Sequence, residues 1–309
     1  MSGFLVKRTV QSLVTLFGVV TLVFFIQRLT GDPVLLMVPE GATDADIEAL
    51  RRSLGFDRPV WAQYLDYLGG VLQLDFGQSI ARNTDVLSVI AVRLPYTLLL
   101  AAGALLVALG IGVPLGVFMA VKRGTLAARA AMAVVLTGQS LPTFWSGILL
   151  ILLFAVTLGW LPSSGARGAS SLIMPSVALG LLSMATFARV ARTSVLDQLG
   201  RDYIRTARAK GVPMRRIVSR HLLRNSSIPV ITVAALEIAN LIAGAVIVET
   251  VFAWPGIGQL AIQSINARDF PVVQAIVLLV AFAFILLNLI ADILYSVVDP
   301  RIRLDGSGT

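Results

Sequence analysis

Long apolar runs broken by short charged segments divide this chain, and several are near the roughly 20 residues that a bilayer core requires. Residues 1–27 hold the N-terminus and a first run, uncharged from Thr9 to Gln27 between Arg8 and Arg28. No small-residue cleavage pattern follows it, so it reads as a retained helix rather than a leader. Further spans are expected at about 94–121, 130–158, 168–188, 228–248 and 272–298, which together with 1–27 make six and place the transmembrane core in 94–298. The stretch from Ala130 to Ala166 is too long for one simple span, and Pro142 interrupts it. It is expected to be one long, kinked helix ending near Leu158, followed by a turn at Leu161-Pro162-Ser163, with a re-entrant pair as the less favoured arrangement.

Polar residues collect in few places. Residues 28–93 form a small helical layer outside the membrane. Thr43 or Asp44 caps a first helix with Ile47, Leu50 and Leu54 on one face and Gly55 as its stop, and Pro59 opens a second with Val60, Tyr64, Leu68 and Val71 on one face. A basic loop occupies 189–227, an outer loop 249–271, and a short tail 299–309. The fold class is therefore an all-α membrane protein with six transmembrane helices.

Composition agrees with that pattern. Of 309 residues 57% are hydrophobic and 14% charged, and the mean hydropathy is +0.86, well above soluble averages. The absence of cysteine excludes disulfides, thiolate metal sites and cysteine nucleophiles, and the single histidine, His221, excludes a multi-histidine metal centre. The three lysines, Lys7, Lys122 and Lys210, are followed by Arg, Arg and Gly, so no phosphate-binding loop of the Gly-x4-Gly-Lys-Ser/Thr type exists. No catalytic residue, metal or cofactor is expected in this chain, and no nucleic-acid partner.

The net charge of +8 is local: Arg189 to Arg224 carries ten Lys or Arg against Asp197 and Asp202, and the remainder sums to zero. With the N-terminus inside, seventeen of the twenty-five basic residues fall on the cytoplasmic side, whereas in 28–93 six arginines face nine acids. By the positive-inside rule both termini are expected to be cytoplasmic and 28–93 extracytoplasmic.

Within the loop, Tyr203, Ile204 and Ala207 share a helical face, and Lys210-Gly211 ends that helix with a cationic last turn and a C′ glycine. Pro213 starts a second helix with Met214, Ile217, Val218 and Leu222 on one face and Arg215, Arg216, Arg220 and Arg224 on the other. Two readings stand at this point: an anchor on anionic membrane lipid, or a docking element whose apolar face enters a partner's groove. Three further groups are candidates. Gln139, Ser140, Thr143 and Ser146 around Pro142, with Ser183 and Thr186, make a polar patch suited to a solute path, or to helix packing. Glu237 and Asp292 lie in or near spans, where a charge is costly. They also define the alternative function, a proton-coupled secondary transporter. Trp254, Pro255, Gly256 and Gly258 mark an outer gate, a contact with a protein outside the membrane or an aromatic anchor.

Several stretches together resemble the permease subunits of ABC importers of the dipeptide, oligopeptide, nickel and glutathione group, a binding-protein-dependent, type I importer fold. They are Gly31-Asp32-Pro33, Leu54 to Pro59, Asp75-Phe76-Gly77, Leu158 to Pro162, Asp202-Tyr203, Arg205 to Gly211, His221 to Asn225, Ile228-Pro229, Val248-Glu249 through Gly258, and Asp299 to Arg303. The general importer motif begins Glu-Ala-Ala six residues before its glycine, where this chain has Arg205-Thr206-Ala207, so an acidic contact is not carried over. The resemblance implies a permease in the bacterial cytoplasmic (inner) membrane, forming half of a pathway for peptides or a related small polar solute. It implies a second homologous permease subunit as heterodimer partner, two ATP-binding subunits or domains carrying ATP and Mg, and an extracytoplasmic solute-binding protein. It further implies that 189–227 is a coupling loop, with Arg205, Thr206, Ala207, Lys210, Gly211, Met214, Arg215, Arg216, Ile217 and His221 as the residues coupling to the ATPase.

Overall fold

The computed structural model describes residues 2–29, 34, 41, 43–53, 55–218 and 222–298. Among them the chain is almost wholly helical: α1 Ser2–Leu29, α2 Asp44–Ser53, α3 Val60–Leu72, α4 Val86–Val121, α5 Leu126–Ser140, α6 Thr143–Leu150, α7 Ala169–Leu199, α8 Asp202–Ala209, α9 Met214–Ile217, α10 Leu223–Val251, α11 Ile257–Asn266 and α12 Phe270–Val298. A wider π-helical segment, Ile151–Thr157, continues α6. Five segments are long and apolar enough to cross a membrane, namely Val6–Ile26, Val86–Val121, Ala169–Leu199, Ser226–Val251 and Phe270–Ile293, and the number rises to six if α5 and the α6 segment count as one span.

Three sequence expectations need correction. The single kinked helix over 130–158 is two helices, bent by 105°. Pro142 supplies no N–H, and Leu141 before it is forced to extended backbone (φ −80°, ψ 128°). The Pro142 carbonyl then accepts from Trp145 and Ser146 N–H, both at 3.0 Å, so the proline starts a new helix instead of bending an old one. Second, the helix expected at 168–188 runs on to Leu199, taking Arg189 and Arg192 into its last turns and shortening the basic loop. Third, α4 begins at Val86 and contains Arg93. Charge ends an apolar run but does not end a helix, because arginine is a good helix former.

The chain divides into two compact units. The larger comprises Tyr96–Pro255 and the chain from Leu287. Its centre is α7: 67% of its apolar window is buried, against 17–28% in the other spans. Leu100, Ala101 and Ala104 of α4, Met174, Ala178 and Leu179 of α7, and Leu241, Ala245 and Val248 of α10 form one cluster, closed by Phe252 and Trp254. Glycines set the distance between α4 and α7. A Cβ on Gly112 would stand 2.6 Å from the Met184 carbonyl oxygen, and one on Gly180 2.7 Å from that of Ala104. Ala104, Ala108, Gly112 and Gly116 recur every fourth position along α4, the spacing that lets membrane helices bring backbones together.

The smaller unit comprises Ser2–Pro95 and Gly256–Leu286. The cap expected for α2 forms. Thr43 Oγ1 accepts from Asp46 N–H (3.3 Å), and the Asp46 carboxylate accepts from the Thr43 hydroxyl (2.7 Å) and N–H (3.1 Å). These bonds, led by the hydroxyl, hold the Asp46 carboxyl below its ordinary range. Gly55 ends the helix at φ +71°. Helix α3 lies on α1: Tyr64 and Thr21 share a hydroxyl hydrogen bond of 2.6 Å, and Phe24 stands edge-on to Tyr64 with ring centroids 5.1 Å apart. A second cluster joins Val86 and Ile90 to Ile257, Leu260, Val272, Ala275 and Ile276.

Candidate functional site

The basic loop lies between α7 and α10. Asp202 opens α8 with a negative charge at the positive end of the helix dipole, and Arg208 stands in its last turn. The stop is a Schellman turn: Gly211 N–H donates to Arg208 O (2.9 Å) and Val212 N–H to Ala207 O (3.1 Å), with Gly211 at φ +72°. Any side chain there would be strained by backbone conformation alone, since open space surrounds the position. Val212 and Ala207 both pack on the apolar cluster beneath the turn. Pro213 then continues in extended backbone (φ −66°, ψ 143°) and its carbonyl accepts from Arg216 and Ile217 N–H, starting α9.

The apolar face of this element points inward. Ile204, Ile217 and Leu222 are fully buried in a cluster with Ala120 of α4 and Val195 of α7, and Ala207, Val212, Met214 and Val218 pack at its edge. The expectation that Met214 and Ile217 insert into a partner's groove is therefore corrected: they fix the loop to its own helices. What remains outside is Arg205, Thr206, Lys210, Gly211, Arg215 and Arg216, all exposed. His221 lies outside the described residues. Arg205 and Asp202 stand 3.5 Å apart with both side chains more than four-fifths exposed, so that pair contributes little. The loop thus presents a cationic surface on an apolar clip.

The polar candidates separate into pairs. Ser183, buried on α7, donates to Glu237 Oε2 of α10 at 2.5 Å. Arg189 Nη1 donates to Gln139 Oε1 at 2.7 Å, joining the C-terminal half of α7 to the end of α5. Ser140 and Ser146 return their hydroxyls to the backbone carbonyls of Leu136 and Thr143, satisfying the broken helix locally. Thr143, Thr186 and Asp292 are half-buried. Trp254 is 2% exposed, with Nε1 donating to the Tyr96 carbonyl at 2.9 Å and its ring edge-on to Tyr96. Gly256 and Gly258 are buried too and Pro255 is half-buried.

Two carboxylates that sequence reasoning passed over are fully buried, Glu249 and Asp269. Glu249 accepts from Thr97 Oγ1 at 2.6 Å, and its backbone carbonyl accepts from Trp254 N–H at 2.8 Å. Its signal is the apolar flank on both sides, Val246 to Val248 and Val251-Phe252, around an acid that the expected outer loop of 249–271 places outside the helix, whereas the helix runs on to Val251. Asp269 directly precedes α12, where it reads as a cap. Its carboxylate instead accepts from the Ser79 hydroxyl and from Ile80 N–H (3.0 Å), with Arg82 Nη1 3.6 Å away. Among the described residues no cluster of His, Cys, Asp or Glu is suited to a metal ion.

The family described as binding-protein-dependent transport system inner membrane component matches residues 112–304, and its N-terminal counterpart matches residues 1–101. The di/tripeptide transport system permease protein DppB of Pseudomonas aeruginosa is 42% identical to this chain, aligned over 98% of it and 99% of that protein. The dipeptide transport system permease protein DppB and the glutathione transport system permease protein GsiC of Escherichia coli K12 are 38% and 41% identical over the same shares. Among solved structures, a chain of the MetNI methionine ABC transporter in inward-facing form matches with a TM-score of 0.55 at 21% identity, over 69% of this chain and 97% of that one, a likeness of fold. With helices, loop and sequence agreeing along nearly the whole length, the chain belongs to the binding-protein-dependent inner membrane component family, the permeases of ABC importers.

Proposed function

We propose that this chain forms half of the translocation pathway of an ATP-driven importer of di- or tripeptides, glutathione or a closely related polar solute. The observation that carries this reading is the 38–42% identity, over 98% of the chain, to permeases named for di/tripeptide, dipeptide and glutathione transport. A second homologous permease completes the pathway, ATP is hydrolysed on two partner subunits, and an extracytoplasmic binding protein delivers the solute. Both termini and the basic loop lie in the cytoplasm of a bacterial cell, in accord with the Lys/Arg bias.

In this reading the cationic face, Arg205, Thr206, Lys210, Gly211, Arg215 and Arg216, meets the ATP-binding subunit, and Ala207, Met214 and Ile217 transmit its motion inward through their packing on α4 and α7. The Ser183–Glu237 pair on α7 and α10 and Gln139 on α5 are the polar groups assigned to the solute path. Buried helices that have two packed arrangements convert a small push into alternating access. No observation favours the proton-coupled alternative.

The test is uptake of labelled dipeptide and of labelled glutathione into vesicles holding this chain with its partner subunits and binding protein. Uptake that requires ATP and is insensitive to a proton ionophore is expected, and Arg215→Glu is expected to lower both uptake and co-purification of the ATP-binding subunit at least tenfold. Proton-driven uptake without ATP, or a fully active Arg215→Glu variant, refutes the assignment.

A further inference from the structure

A cavity of about 230 Å³ in the larger unit lies where α4 ends and α5 begins, lined by Met119, Arg123, Ala128, Arg129, Met132 and Arg192. Three of these are arginines, from the α4–α5 turn, the first turns of α5 and the last turns of α7, and no acid lines the cavity. Among the described residues none of the three guanidinium groups has a hydrogen-bond or ion-pair partner, whereas Arg189, one turn before Arg192 on α7, is held by Gln139. Like charges gathered around one hollow repel, and the arrangement is relieved by a bound anion. Planar guanidinium forks match phosphate oxygens in two-point hydrogen bonds.

The rest of the lining points to the source of that phosphate. Met119 and Ala128 are buried apolar side chains, Met132 is half-buried, and Leu126, beside the cavity in the first turn of α5, is 80% exposed. An apolar floor, a guanidinium rim and an outward leucine, all at the level where two spans end, suit a headgroup with acyl chains attached. A soluble anion would be better served by an all-polar cage. We propose that this cavity is a site for an anionic phospholipid, its phosphate held by Arg123, Arg129 and Arg192 and its glycerol end resting on Met119 and Met132. Such a lipid ties the α4–α5 turn to the end of α7, the helix that also carries the basic loop. The assignment does not depend on which solute the protein carries.

The test uses the full chain in nanodiscs of neutral phosphatidylcholine, titrated with short-chain phosphatidylglycerol and read by native mass spectrometry. Arg129→Ala and Arg192→Ala are each expected to weaken phosphatidylglycerol binding about tenfold, the scale of one lost charged hydrogen-bonding group. Lys122→Ala, which removes the same charge from the same turn without lining the cavity, is expected to change it less than twofold. Arg192→Lys, which keeps the charge and the fold but loses the planar fork, is expected to fall between. Equal losses in Lys122→Ala and Arg192→Ala, or none in Arg192→Ala, overturn the proposal. So does displacement of phosphatidylglycerol by millimolar inorganic phosphate, which assigns the cavity to a soluble anion. Loss of the ATP-binding subunit from Arg192→Ala with lipid binding intact assigns it to a protein partner and overturns it as well.

Discussion

Removing the Asp269 carboxylate tests how the smaller unit is held together. Asp269 is fully buried and accepts from the Ser79 hydroxyl and the Ile80 N–H, with the Arg82 guanidinium paired to it at 3.6 Å without a hydrogen bond. In Asp269→Ala, Ser79, itself buried, and the Ile80 amide lose their acceptor, and Arg82 loses its counter-charge with one nitrogen already enclosed. Breaking a buried charged pair by deleting one member costs about 3–5 kcal/mol. Ser79→Ala removes one hydrogen bond to a charged acceptor and is expected to cost about 1.5–3 kcal/mol. The two share a partner, so their effects will not add, and the double-mutant cycle should return a coupling of about 1–3 kcal/mol. Equilibrium unfolding in mixed micelles gives the energies. Because the chain has no cysteine, a single Asn83→Cys at the exposed turn beside Ser79 gives a local maleimide-accessibility readout. If Asp269→Ala lies within about 1 kcal/mol of the parent, or the cycle shows no coupling, the carboxylate is not what fastens that turn, and the reasoning from buried charge fails.

Three further outcomes are expected. Gly112→Val sets a branched side chain against the Met184 carbonyl and should abolish monodisperse protein on size exclusion, with Gly112→Ala intermediate; wild-type behaviour of the valine variant would show that α4 and α7 do not touch there. Ala253 sits at φ +47° in a Schellman turn closed by Trp254 N–H on Glu249 O, so Ala253→Gly should raise stability by about 0.5–1 kcal/mol, and a lowered melting temperature would contradict it. The Asp46 carboxyl is held below its ordinary value by Thr43, so the α2 cap contributes above the unfolded-state value near 3.8 and is lost as pH falls through the lower folded one. The protection factors of amides at the start of α2, taken relative to intrinsic exchange at each pH, should therefore fall in acid, and Thr43→Ala should remove that pH dependence.

The local features were legible because their causes are local. The apolar runs announced the spans, Thr43 and Gly55 bounded α2, and Lys210-Gly211 placed the turn, each through residues within a few positions. Helix ends were less legible, since Arg189 and Arg192 stop an apolar run while α7 continues. The sense of the loop's apolar face was also hidden, because periodicity shows that Ile204 and Ile217 share a side but not whether a partner or the parent helices cover it. The buried carboxylates were the least visible. Glu249 meets Thr97 across 152 positions and Asp269 meets Ser79 across 190, and no local pattern encodes such pairs.

Helix α7 has a mechanical meaning beyond its role as the core. Past Pro175 it runs without interruption from Ser176 to Leu199, a stiff rod of about 36 Å at 1.5 Å per residue. Its last turns are clamped by Ile204, Ile217 and Leu222, and its middle is seated on α4 where glycine leaves no slack. If the basic loop is the coupling element proposed above, a load applied to it is not absorbed by bending near its point of application. It then arrives as a translation or tilt of α7 with the part of α4 packed on it, at the depth where Ser183 meets Glu237, while the Pro142 break leaves α5 and α6 as separate helices.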